Sequence, residues 1–328
     1  MRGPETSAPV PSEMARLDQS ILSGLSRARS GGGSFPAQFS GLSYEAVGDG
    51  ECTIRLDPAP QVLGRDGSFA AAAIAMLCDY SLQGAVRSRV GRAATTPTVT
   101  LQIEYGIWPF PVSDIICRSV FRGRLGKLAT TTATLETATG ARLGSAYGRF
   151  LVQERTTATG FSRYPWEVVT EPPLTFSQLT ASELQARSFL LSRAASSEEG
   201  LTRDDLSYEQ LHGVVADEAA RPGSSQLRQP TGAHLANRSG LVHAGVMAGL
   251  LVDACLRAAA TGPGPSSTIL SSNCTYLRPG RIDQGDLLAS AEVAFDGRRL
   301  IFVNGKVIDA AGTCLTTGET LLSQQEGA

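Results

Sequence analysis

The chain repeats itself once, at long range. GRDG at Gly64–Gly67 is matched by NRSG at Asn237–Gly240, an offset of 237 − 64 = 173. An acid follows an apolar run after each of these turns: Asp79 and Asp253, with 253 − 79 = 174. TLQIEY, ending at Tyr105, is matched by SSNCTY, ending at Tyr276, with 276 − 105 = 171. FRGRLGKLATTTATLETATG parallels FDGRRLIFVNGKVIDAAG. Four matches in the same order mean a duplicated domain, because a solenoid repeats every 20–50 residues or so.

The hydrophobic pattern fills in each copy. Residues 70–90 and 242–260 carry apolar residues nearly all round, which predicts two long helices buried on most faces. Strand patterns follow each helix: 98–108, 114–124, 127–137 and 142–153 in the first copy, and 267–277, 286–295, 299–309 and 313–322 in the second. Shorter strands are expected before the helices, at 44–47 and 52–56, and at 211–219 and 226–235. The expected organisation is an N-terminal arm (1–33), a first domain (34–153), a linker (154–205) with a helix over 182–194, and a second domain (206–328).

Composition narrows the classes. With 42% hydrophobic residues the chain can build an ordinary core, and a net charge of −2 offers no basic field for nucleic acid. No window holds 18 uninterrupted apolar residues, and the first twenty lack the apolar stretch of a signal peptide, so no membrane association and a cytoplasmic location are expected. The six cysteines form no CxxC pair and several sit in apolar runs, reading as free thiols of a reducing compartment. Together with the three histidines they show no zinc-ligand spacing, so neither metal nor cofactor is expected.

Asn237-Arg238-x-Gly240-x-x-His243, then small residues, an apolar run and an acid, resembles the start of the central helix in PaaI-type hotdog acyl-CoA thioesterases. The later YLRP and GRRL–F–V–x–G–K–V–x–D–x–x–G segments are similar to that family's strands, and the likeness spans about 34–153 and 206–326. The resemblance implies an α+β fold: a double hotdog, with two long central helices wrapped by one continuous antiparallel β-sheet. It also implies an acyl-CoA or acyl-carrier thioester as substrate, coenzyme A being part of the substrate. Homo-oligomers of such double units are compatible with it. An edge-to-edge join of two half-sheets would also remove an exposed strand edge from each.

In the resembling family the site is composite, and the resemblance carries over residue by residue. Asn237, His243 and the N–H of Ala244, where the family usually has Gly, would face Asp79 and Thr98 of the other half. Asp79 would activate water, the Ala244 N–H would hold the oxyanion, Asn237 would position water or carboxylate, Thr98 would assist, and His243 would order the helix start. Each also has a plain structural reading: a buried Asp bonded to hydroxyls, a turn Asn, a capping His, a surface Thr. The mirror-image site lacks the parts. Gly64 stands for the Asn, Ala70 for the His and Ile269 for the hydroxyl, while Asp253 lies ten residues after His243 rather than nine.

Arg122, Arg124, Arg278 and Arg298 are candidates for coenzyme phosphates, and Met76, Met247 and Leu250 for an acyl channel. The alternative to an enzyme is a non-catalytic acyl-CoA binding protein that keeps the groove. A hydratase would need an Asp–His dyad in a different motif, which the chain does not show.

Overall fold

A computed structural model describes residues 12–31, 33–91, 94–154, 164, 166–167, 172–195, 204–217, 221–261 and 267–324. Helices α1 (Glu13–Gly31) and α2 (Phe35–Phe39) precede strands β1 (Ser43–Val47) and β2 (Glu51–Leu56). The long α3 (Ala71–Val90) comes next, followed by β3 (Ala94–Thr95), β4 (Thr98–Tyr105), β5 (Ile115–Leu125), β6 (Leu128–Thr137), β7 (Arg142–Leu151) and β8 (Gln153–Glu154). After α4 (Ala181–Ala194) the pattern returns as α5 (Tyr208–Leu211), β9 (Val215–Ala216), β10 (Ser224–Gln229), α6 (Ala244–Ala260), β11 (Ser267–Tyr276), β12 (Leu287–Asp296), β13 (Leu300–Ile308) and β14 (Cys314–Gln324).

Twelve strands form one antiparallel sheet in the order β1-β2-β5-β6-β7-β4-β11-β14-β13-β12-β10-β9. The two half-sheets join through β4 and β11, where Gln102 pairs with Asn273. Those two residues are themselves repeat equivalents, 273 − 102 = 171, so the pseudo-twofold axis passes through this pair. The join leaves neither central strand with an open edge.

The sheet wraps α3 and α6, which pack on each other. Nearly all of α3 from Ala71 to Val86 is buried, as its all-round apolar pattern requires. The helices cross in backbone contact. A Cβ added at Gly245 would lie 2.6 Å from Met76 Cα, and one at Gly249 would overlap the Ala72 backbone. One core runs through both halves and includes Ile54, Ile74, Leu77, Leu251, Val303 and Leu322. This is the double hotdog that the resemblance and the repeat together imply.

Three stretches depart from expectation. The strand expected at 211–219 is the helical turn α5 followed by the two-residue β9, because Gly213 at φ 66° turns the chain sharply; residues 218–220 lie outside the described ones. The strand expected at 226–235 ends at Gln229, since Pro230 cannot donate to the ladder, and a 3₁₀ turn occupies 233–235. The expected arm and linker are not independent of each other. Leu17, Ile21 and Leu25 of α1 pack with Ala186, Leu190 and Ala194 of α4 in a second core. Arg187 adds a two-pronged pairing to Asp18 at 2.7 Å, and Thr180 with Glu183 forms a capping box at the start of α4. No described helix is long and apolar enough to cross a membrane.

Candidate active site

The start of α6 builds one wall. The Asn237 side-chain carbonyl accepts the N–H groups of Ser239 (2.8 Å) and Leu241 (3.1 Å), and Gly240 at φ 71° completes the turn. The chain then reaches His243, which caps α6: its Nδ1 accepts the Gly245 N–H at 3.0 Å. The N–H of Ala244, first residue of the helix, has no acceptor among the described residues. It is a free donor at the positive end of a helix dipole. Tyr276 of β11 steadies this turn by donating its hydroxyl to the Ala244 carbonyl at 3.0 Å.

The first half supplies the other wall. Asp79 of α3 is only 2% exposed, and its Oδ1 accepts the Thr98 hydroxyl of β4 at 2.7 Å. Burial raises its pKa to about 6, while the Thr98 hydrogen bond and the charge of Arg87 pull the other way. The second carboxylate oxygen, Oδ2, lies 3.7 Å from His243 Nε2, too far for a hydrogen bond. With Nδ1 an acceptor, Nε2 carries the proton of the neutral ring. Burial, with some help from Arg87, lowers the His243 pKa to about 3, so this is not an ion pair at neutral pH. The ring stacks on Tyr80 (centroids 4.7 Å apart, planes 11° apart), and Tyr80 is anchored through its hydroxyl to Ser34.

These walls enclose a cleft of about 610 Å³. Asp79, Thr98, Asn237, His243 and Ala244 all line it, so the five catalytic candidates come to one place, drawn from both halves. Asp79, Thr98 and His243 meet directly; the side-chain oxygen of Asn237 is committed to its own turn. Tyr80, Tyr276 and Arg87 line the cleft as well and were not singled out. Arg87 stands eight residues after Asp79 on the same helix, a spacing that carried no motif. Of the candidate arginines Arg278 lies at the cleft, exposed at its rim, whereas Arg122 lines a groove on the sheet's outer face. Met247 faces the cleft, but Met76 is packed against Gly245 in the helix crossing.

A larger groove, about 780 Å³, crosses the outer face of the sheet between β10 and β14. Lys306 and Glu319 flank it, yet no helix start opens into it, so it lacks the paired acid and free donor of the Asp79 cleft.

The mirror-image position is filled from within. Tyr208 of α5 donates its N–H to the Leu63 carbonyl at 2.8 Å and is 1% exposed. Beside it, the Glu209 carboxylate comes within 3.1 Å of where a Gly64 Cβ would be, the place Asn237 fills in the other half. Ala70 offers no side-chain cap and Ile269 no hydroxyl. Asp253 remains close enough to Glu209 and Asp66 to feel their charge. Burial first, then Glu209, raises its pKa to about 8, with Arg257 opposing.

A model of the Thioesterase superfamily matches residues 239–316, which include His243 and Ala244 but not Asp79 or Thr98. A sequence comparison with curated proteins finds no match. Among solved structures, the chain is similar to a hot dog fold protein of unknown function from Alicyclobacillus acidocaldarius. That pair is 12% identical, covering 88% of this chain and 96% of that one, with a TM-score of 0.54. It is also similar to a candidate oleoyl thioesterase from Lactobacillus plantarum (11% identical, 84% and 97% covered, TM-score 0.52). A 12:0-ACP thioesterase from Umbellularia californica gives 9% identity, 84% and 95% coverage and a TM-score of 0.50. The chain therefore has the hotdog fold, and residues 239–316 match the sequence pattern of the Thioesterase superfamily.

Proposed function

We propose that the protein is a PaaI-like tandem hotdog thioesterase that hydrolyses acyl-CoA, or the corresponding acyl-carrier thioester, at the Asp79 cleft. The observation that carries this is the pairing of a buried carboxylate with a free helix-start N–H across one cleft: Asp79, held by Thr98 at 2.7 Å, and Ala244. In this reading the thioester carbonyl oxygen accepts from the Ala244 N–H. Asp79 takes a proton from water, the water oxygen bonds to the carbonyl carbon, and the C–S bond breaks. The proton held by Asp79 passes to the leaving sulfur, giving free acid and thiol. A pKa of about 6 leaves Asp79 mostly ionised at pH 7 while keeping it basic enough to serve. Neutral His243 fixes the helix start and presents its Nε2–H beside Asp79 Oδ2. Exposed Arg278 at the rim suits the coenzyme phosphates.

The test is thiol release from a panel of short, long and aromatic acyl-CoAs by wild type and Asp79→Asn. A near-isosteric amide keeps the fold, and turnover is expected to fall by about 10²–10⁴-fold. The second reading is a non-catalytic acyl-CoA binding protein. It is favoured by the commitment of the Asn237 oxygen to its turn and by the filling of the mirror site by Glu209. Tight binding of acyl-CoA with no thiol release from any of the panel would establish it.

A further inference from the structure

Arg87 touches none of the reacting groups above, although its charge holds down the Asp79 pKa. It lies on α3, 87 − 79 = 8 residues beyond Asp79, or about 12 Å along the axis. It lines the same cleft and is half-buried. Its Nε donates to the buried Thr96 hydroxyl at 3.1 Å, and Gln83, one turn back, donates to the Thr96 carbonyl at 2.9 Å. The guanidinium is thus held in one orientation, and neither terminal nitrogen has an acceptor among the described residues.

What it lacks is an anion. Arg55, Arg118 and Arg187 each have a carboxylate within 2.7 Å, but among the described residues Arg87 has none in ion-pair range. Arginine does not shed its proton to escape burial, so a half-buried guanidinium with no carboxylate in ion-pair range is costly unless a ligand completes it. Arg238 opens onto the same cleft, and the fields of both arginines reach the Tyr44 hydroxyl.

We propose that Arg87 is a specificity residue that binds a carboxylate at the far end of the acyl group, so that the preferred substrates are monothioesters of dicarboxylic acids. This rests on the thioesterase reading. An anionic oxygen group at this spot has two sources, the acyl end or a coenzyme phosphate. A single, oriented, half-buried guanidinium matches one carboxylate in two-pronged fashion, whereas the several solvated phosphates of coenzyme A are better met by exposed cations such as Arg278.

The experiment compares glutaryl- and adipoyl-CoA with valeryl- and hexanoyl-CoA, pairs that differ only in the terminal carboxylate. Wild type is expected to favour the charged member in kcat/KM. Measured well above the acid limb of Asp79, whose position the Arg87 charge influences, Arg87→Met should cut that preference by about 10- to 100-fold, the scale of a charged hydrogen bond, and leave the neutral substrates close to wild type. Arg87→Lys, which keeps the charge and loses the fork, should restore part of it. An equal loss on charged and neutral substrates would assign Arg87 to the coenzyme phosphates or to Asp79 itself and overturn the proposal. So would wild type showing no preference. Calorimetric binding of the same four compounds to Asp79→Asn protein separates this inference from the hydrolysis reading. A charged-ligand preference that disappears in Asp79→Asn/Arg87→Met supports carboxylate recognition even if wild type releases no thiol. If Arg87→Met does not fold, Arg87→Gln takes its place in every arm.

Discussion

Gly249 of α6 lies directly on the backbone of Ala72 in α3, with no room for a methyl group between them. Gly245 meets Met76 in the same way one turn earlier. This close crossing brings the start of α6 up to the middle of α3 and sets Ala244 across the cleft from Asp79. Gly249→Ala is therefore expected to destabilise the protein by about 1–3 kcal/mol through overpacking, despite the better helix propensity of alanine. Urea unfolding measures it. Unchanged or improved stability would mean that the helices do not touch here.

Asp79 and Thr98 make a prediction about pH. The rate depends on ionised Asp79, so kcat/KM should fall as pH drops through about 6. The Thr98 hydrogen bond favours the ionised form, and Thr98→Val removes it. The acid limb of the variant should move to higher pH, and its rate should approach that of wild type once the pH is well above the new limb. A limb that stays in place would separate Thr98 from the base.

Asp253 makes a prediction about stability. Its pKa rises from 3.8 in the free side chain to about 8 in the fold, so between these values the native state holds a proton that the unfolded chain has released. Stability contributed at this site is then lost as pH rises from about 4 to 8 and is at its lowest above both. Asp253→Asn keeps the shape without the ionisation. Its stability relative to wild type should climb across that range and then level off, as read from thermal or urea unfolding at several pH values. Turnover should hardly change, since Glu209 and Tyr208 already fill this position. A stability difference independent of pH would mean that Asp253 is ionised throughout.

Much of this protein is set by short-range pattern. Residues 71–90 and 244–260 are helices because apolar residues cover nearly every face, and the strands after them follow alternation and glycine turns. The repeat offsets of 171–174 also reveal the duplication, while the expectation that Asp79 faces Asn237 and His243 comes from the resemblance of the Asn237–His243 segment to a family with a composite site. Other features exist only after folding. The stacking of Tyr80 on His243, the seat of Glu209 at Gly64, the packing of α1 on α4 and the cleft shared by Arg87 and Arg278 join residues far apart in the chain. Helix period and strand alternation record which face of an element is buried, not which distant side chain covers it. That choice belongs to tertiary packing, where the crossing of α3 and α6 decides which groups share the cleft.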